Sequence, residues 1–180
     1  MAGSKLNLGC GLDIKNGWIN LDKSALPGVD VVHDLEQLPL PFPDNHFDEI
    51  LCQDVLEHIE YIPVLRDLHR ILKTGGSLAI RCPHFTSANN FIDPTHKKFF
   101  SFRTFEYFLK EKNSRPYYFD FAFSGLASSK IIFLKKGKRY AFNYLVELLV
   151  NRSFSAKEYY ENSFLCSFFP AGNILAVLKK

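Results

Sequence analysis

The sequence predicts an α/β domain built on a doubly wound, mainly parallel sheet, and three observations lead to it. Short apolar runs with strand character alternate with stretches of helical periodicity. The last runs of the chain read as an antiparallel ending. The first strands end on a glycine turn or a carboxylate: Gly9-Cys10-Gly11, Asp22 and Asp34. Ligands of open α/β sheets sit beyond the carboxyl ends of the strands, so these three endings point to one binding edge.

Strand one is Lys5–Leu8 and strand two Trp18–Leu21, with only Gly9 to Gly17 between them. A parallel crossover normally takes a dozen or more residues, so the first helix is reduced to a turn or a tight loop. Gly9 and Gly11 let the backbone turn sharply and approach a ligand, and Asp22 is placed to accept from the vicinal hydroxyls of a ribose. Strand three, Val29–His33, leads into a loop in which Pro39, Pro41 and Pro43 bar a regular helix. Phe47–Cys52 is strand four. A helix follows to Leu72, with Pro63 in its first turn and Val64, Leu65, Leu68, Ile71 and Leu72 on one face. Gly75-Gly76 is expected to end that helix, and Ser77–Cys82 is strand five. Beyond it the sequence predicts a helix from about Phe102 to Lys112, a hairpin-like pair at Phe119–Phe123 and Lys130–Leu134, a helix over Tyr140–Val150 and a last strand, Asn173–Leu178.

The 180 residues fit one domain, and an apolar fraction of 47% with 23% charged residues is ordinary for a soluble globular chain. No window reaches the roughly 18 apolar residues of a membrane span, and no signal-peptide pattern opens the sequence. Cys10, Cys52, Cys82 and Cys166 show no metal-ligand spacing, so no metal is expected and a reduced, cytoplasmic protein is. The net charge of +3 hides an asymmetry: residues 1–60 carry 3 Lys+Arg against 11 Asp+Glu, residues 97–139 carry 11 against 3. Of the 27 aromatic residues, 23 lie between Phe85 and Phe169. The first half therefore reads as a cofactor half and the second as a basic, aromatic surface for an anionic or glycan-bearing partner, or as a solvated basic face over an aromatic core. A dinucleotide fingerprint is disfavoured: Ile14 stands where its third glycine belongs, and Asp22 comes too early.

In order and spacing, LNLGCG, WINLD, HDLEQLPLPFPDNHFDEI, DVLEHI and LHRILKTGGSLAI resemble the class I S-adenosylmethionine-dependent methyltransferases, and among them the small type 11 group with a shortened first helix. The resemblance covers residues 5–83 well, 84–110 moderately and the remainder through the last strand. It implies a Rossmann-like class I methyltransferase fold: a seven-stranded, mostly parallel sheet in the order 3-2-1-4-5-7-6, with helices on both faces. It implies a single domain over 1–180, with a cofactor-binding half at 5–83 and a substrate-side half at 84–180 that carries an inserted segment at 135–170. S-adenosyl-L-methionine is the implied cofactor. Asn7, Gly9, Cys10 and Gly11 would pass beneath its methionine and ribose. Asp22 would take the ribose hydroxyls, with Lys23 flanking the adenine, Asp34 accepting from the adenine amine and Leu35 packing near the ring. Gln53 would line the sulfonium end, with Asp54 facing the same space. The nearly absent first helix leaves contacts to the methionine carboxylate and amine unassigned.

Methyl transfer from a sulfonium needs alignment above all, and a base only where the acceptor is a hydroxyl or a protonated amine. The candidates are His58 after strand four, His84 after strand five and His96 in DPTHKKFF, with His96 preferred and Asp93 near enough to orient it. Each has a plainer alternative as a capping or core-rim residue. A small molecule or a glycan is the expected acceptor, methylated on oxygen or nitrogen. Two other possibilities are a non-catalytic methyltransferase-like binding module and an RNA methyltransferase. No Asn/Asp-Pro-Pro-aromatic motif follows strand four, which weakens the case for nucleic acid. Cover for the substrate is expected from the loop Phe85–Phe100 or from the segment 135–170. That segment is also the candidate for a peripheral membrane or homodimer contact, although core packing of a final helix is its plainest account.

Overall fold

The computed structural model describes residues 4–111 and 118–180. Its centre is a seven-stranded sheet in the order β3-β2-β1-β4-β5-β7-β6. The strands are β1 (Lys5–Leu8), β2 (Ile19–Asp22), β3 (Val31–Val32), β4 (Phe47–Gln53), β5 (Leu72–Pro83), β6 (Gly125–Ile132) and β7 (Asn173–Lys179). β7 runs antiparallel to both of its neighbours, and the pairs from β3 through to β5 are parallel. The sheet order and its one reversed strand are those implied by the sequence.

Side chains alternate across a strand, so the register divides the sheet into two faces. Leu6 and Leu8 align with Ile50 and Cys52, then with Leu78 and Ile80, then with Leu178 and Ala176, and all eight are buried. Helix α1 (Tyr61–Ile71) lays Val64, Leu65, Leu68 and Ile71 into the same core, joined by Phe100, Phe105, Phe108, Phe121 and Phe123. Each such side chain contributes about 1.5–3 kcal/mol on burial. The opposite row, Leu51, Ala79 and Val177, stays partly exposed. The β1–β2 connection, a loop of turns with no helix, leaves that side more open, whereas parallel sheets are ordinarily covered on both faces.

Helix α1 ends at Ile71, earlier than Gly75-Gly76 suggests, because Leu72 is already extended and pairs with Phe47. The Lys180 ammonium donates to the carbonyls of Leu72 (2.8 Å) and Arg70 (3.4 Å), satisfying the helix end. On the same helix Asp67, nearly buried, accepts from Leu40 N–H at 2.8 Å and from Arg70 Nε at 2.6 Å. Arg70 also donates to Asp44 and to the carbonyls of Phe42 and Leu40, which pins the proline-rich loop to the helix.

The second half departs further from expectation. The helix expected from Phe102 to Lys112 is a single 3₁₀ turn, Thr104–Phe108, and Lys112 lies outside the described residues. Phe105 and Phe108 are drawn into the main core there, and core packing overrides the helical spacing. The expected hairpin does not form. Phe123 instead bridges to Leu109, and β6 starts at Gly125 and pairs with β7. Helix α2 (Asn89–Ile92) is one turn, and α3 (Asn143–Val150), α4 (Phe154–Glu161) and α5 (Leu165–Phe168) fill the segment before β7. A smaller core of Phe102, Ile131, Phe133, Val150, Tyr160 and Ala171 holds this part to the sheet edge.

Candidate active site

Four loops leave the carboxyl ends of β1 to β4 and meet around a cleft of about 580 Å³, lined by Gly9, Asp22, Lys23, Asp34, Leu35, Glu36, Asp54, Val55, His58, Ile59, Thr95 and Lys97. Gly9 has φ +62°, and a Cβ on it would collide with Val55, so both its conformation and its neighbour require glycine. The next glycine aims its N–H at a carboxylate: Gly11 N donates to Asp22 Oδ2 at 2.8 Å, and Ser24 N to Asp22 Oδ1 at 2.9 Å. Asp22 is thereby fixed with lone pairs left on the cleft side, as recognition of vicinal hydroxyls requires.

Of the ten residues expected around a cofactor, Gly9, Asp22, Lys23, Asp34, Leu35 and Asp54 line this cleft, and Asn7, Cys10, Gly11 and Gln53 do not. Asn7 is buried and holds the loop from behind, donating to Asp13 O at 2.8 Å and Asn20 Oδ1 at 3.0 Å. Cys10 is buried as well, with its N–H on Leu21 O. Its thiol is pushed up by burial and then by the nearby Asp22 carboxylate. Gln53 closes β4 beside Arg81. Asp54 turns the chain after β4 with φ +54° and pairs with Arg81, whose Nε donates to Oδ1 at 3.0 Å.

A second cavity of about 460 Å³ adjoins the first and shares Asp54 and His58 with it; Glu57, Arg81, Pro83, Asn89, Ile92, Asp93, His96 and Asn173 complete its lining. Here the structure brings together two histidines 38 positions apart, His58 and His96, with ring centroids 4.6 Å from each other. Thr95 Oγ1 donates its one hydrogen to Asp93 Oδ1 at 2.6 Å, so His58 Nδ1, 2.8 Å from that oxygen, must be the donor in their bond. The His58 Nε2 lone pair is left available. Burial first, and then the neighbouring His96, push the His58 pKa down and favour the neutral ring. His96 Nε2 lies 3.7 Å from Asp93 Oδ2, beyond hydrogen-bond distance, and its Nδ1 is buried with no partner.

His84 is placed elsewhere, and the expectation of a base there gives way to a scaffold role. Its ring is fully buried, with Nδ1 on Thr86 Oγ1 at 2.7 Å and Nε2 on Glu161 Oε1 at 3.0 Å. Glu161 also accepts from Ser101 Oγ and Phe102 N–H. Burial raises the Glu161 pKa, but these bonds outweigh it and leave the carboxyl below its ordinary value.

Sequence reasoning missed Glu57. It is fully buried, neither carboxylate oxygen has a partner, and burial raises its pKa to about 7. A lone acid inside the apolar run VLEHI was the available signal. Glu36, Val55, Ile59, Thr95 and Lys97, which carry no motif, were also missed as lining residues.

The final helices pack on the smaller core in part and leave an apolar face exposed. Asn143 and Val150 of α3 are buried, whereas Tyr144, Leu145, Leu148 and Leu149 are at least half exposed, as are Phe142, Phe164 and Phe168. No helix among the described residues is long and apolar enough to cross a membrane.

Residues 5–80 match the family described as "Methyltransferase domain". A 43-residue stretch is 51% identical to an uncharacterized protein of Methanocaldococcus jannaschii, covering 24% of this chain and 19% of that one. The demethylmenaquinone methyltransferase of Listeria monocytogenes is 29% identical over 71% of this chain and 55% of its own length, so the chain spans about half of that relative. Among solved structures, a SAM-dependent methyltransferase from Archaeoglobus fulgidus superposes with a TM-score of 0.61 at 20% identity, covering 99% of this chain and 87% of that one. Coclaurine N-methyltransferase bound to N-methylheliamine and S-adenosylhomocysteine superposes with a TM-score of 0.58 at 15% identity, over 99% and 65% of the two chains. Residues 5–80 thus match a methyltransferase-domain family, and the chain as a whole shares the fold of S-adenosylmethionine-dependent methyltransferases of known structure.

Proposed function

We propose that the chain transfers a methyl group to a hydroxyl-bearing small molecule held in the second cavity. The observation that carries this reading is the junction of the two spaces. A cleft with the glycine turn, Asp22 and Asp34 opens at Asp54 and His58 into a polar cavity furnished with a second imidazole. S-adenosylmethionine, when bound, supplies the activated methyl on a sulfonium leaving group. Asp22 would hold the ribose and Asp34 the adenine amine, and the aliphatic wall of Val55, Ile59 and Leu35 would limit water at the first cleft. His58 Nε2 is set to take a proton from an acceptor hydroxyl, which typically contributes about 10²–10⁴ in rate. The relative named demethylmenaquinone methyltransferase favours an aromatic, quinone-related small molecule over a glycan, without bearing on which atom receives the methyl group.

A partner surface accompanies this reading. Exposed Tyr144, Leu145 and Leu148 are flanked in sequence by Lys136, Lys138, Arg139 and Arg152, all exposed, while Glu147 is occupied by Lys135 at 2.5 Å. An apolar face bordered by unopposed cations complements an anionic lipid surface, where a lipid-soluble acceptor would reside. The test of the enzymatic reading combines titration with S-adenosylhomocysteine and a mass-spectrometric screen of quinols, phenols and sugars with S-adenosylmethionine. Binding with a methylated quinol or phenol supports it. Binding without turnover on any of these would favour the non-catalytic module.

A further inference from the structure

Four side-chain atoms among the described residues are buried without a hydrogen-bond partner, and three belong to one cluster: Glu57 Oε1, Glu57 Oε2 and His96 Nδ1. An unpartnered buried polar group costs about 1–3 kcal/mol, so three at one place call for something that satisfies them together. One ligand-type atom each from Glu57, His58 and His96 falls within 4.8 Å of the others. We propose that Glu57, His58 and His96 form a binding site for a divalent transition-metal ion on the wall of the acceptor cavity.

The surroundings match that assignment. Two imidazoles and one carboxylate form a donor set suited to zinc and to other first-row dications, with positions left open for an exogenous oxygen. Donor atoms in an occupied tetrahedral zinc site are roughly 3.3 Å apart, given bonds of about 2.0–2.1 Å, so the three groups need only close inward slightly. Ligating histidines usually carry a carboxylate or hydroxyl on the second ring nitrogen. Here Asp93 stands behind both rings, through Thr95 to His58 and directly beside His96. The cavity lining holds Asp54, Glu57 and Asp93 against Arg81 alone, a field that favours a dication. Glu57 is fully buried, so the cluster is not an exposed acidic patch. The natural ligand for the open positions is an acceptor oxygen, phenolic or alcoholic. A bound metal would take the His58 Nε2 lone pair, so the proton-accepting role of His58 belongs to the metal-free protein; only the metal's use in catalysis rests on the methyltransferase reading, and its binding does not.

The test is a titration of chelator-treated protein with Co²⁺, followed by visible absorption, and with Zn²⁺, followed by calorimetry. One equivalent is expected, with cobalt bands that zinc displaces. Glu57→Gln and His96→Ala should each weaken binding by about tenfold or more, with the circular dichroism of the fold retained. Asp22→Ala should leave metal affinity unchanged while weakening S-adenosylhomocysteine, which separates failure of the metal site from failure of the cofactor reading. A wild type that takes up no cobalt, or variants that bind it as tightly as the wild type, would overturn the assignment.

Discussion

Asp22 and Gly11 are joined by an N–H···O bond of 2.8 Å, so the carboxylate at the end of β2 is oriented by the glycine turn that follows β1. A hydrogen bond to a charged group contributes roughly 1.5–3 kcal/mol. Asp22→Ala should therefore weaken S-adenosylhomocysteine by at least about tenfold, or roughly 1.4 kcal/mol. Asp22→Asn keeps one acceptor oxygen and should fall between the two. Calorimetric titration of the three proteins reads this directly, and equal affinities would remove Asp22 from the ribose site.

Arg70 bridges helix α1 and the loop that begins at Asp34, through Asp67, Asp44 and two carbonyls. Removing one partner of such a partly buried network costs about 2–4 kcal/mol. Arg70→Ala should lose that much in urea unfolding, and Arg70→Lys should recover only part, since an ammonium cannot reproduce the planar fork. The same loop carries Asp34 and Leu35, so both variants should also bind S-adenosylhomocysteine more weakly.

The Glu161 carboxyl sits below its ordinary value because the bonds from His84, Ser101 and Phe102 outweigh its burial. A carboxyl lowered on folding contributes stability that is present above its unfolded value of 4.5 and is lost as pH falls through the folded one. Glu161→Gln should therefore be less stable than the wild type at pH 7, by about 1–3 kcal/mol. The gap should close below about pH 4 as the wild-type carboxyl protonates. Thermal unfolding from pH 3 to 8 measures it, and a gap independent of pH would assign the loss to packing.

The exposed Leu145 and Leu148 offer a test of the lipid surface. Wild-type protein should sediment with vesicles containing phosphatidylserine and stay in solution with phosphatidylcholine alone. A Leu145→Ser/Leu148→Ser pair should lose most of that binding, at roughly 1.5–3 kcal/mol per buried leucine. Sedimentation of neither vesicle, with a concentration-dependent rise in mass instead, would assign this face to a second copy of the chain.

Much of the first half of the chain was legible in the sequence because its signals are local. A glycine pair after a strand, a carboxylate ending the next and the i, i+3, i+4 spacing of Val64 to Ile71 each report on their own neighbourhood. The acceptor side was not legible in that way. His58 and His96 meet only because the chain after β5 returns across the end of β4, where Lys97 and Lys98 N–H bond to Glu57 O at 2.7 and 3.2 Å. The Phe102–Lys112 run carried helical spacing, yet its aromatics gained more from the main core than from a regular helix. Spacing also could not separate His84 from the other two histidines; the difference is Glu161, 77 residues away.

The two-faced sheet has a consequence for how the chain can vary. Strands in a parallel sheet covered on both sides accept few changes at any position, whereas here β4, β5 and β7 alternate between a packed and a partly wetted side chain. Along β4, β5 and β7, tolerance to polar replacement should rise and fall with a period of two: Ile50, Cys52, Leu78, Ile80 and Ala176 invariant under selection, Leu51, Ala79 and Val177 permissive. The central strands would thus carry a record of drift at every second residue, in a fold whose middle is ordinarily its slowest part to change.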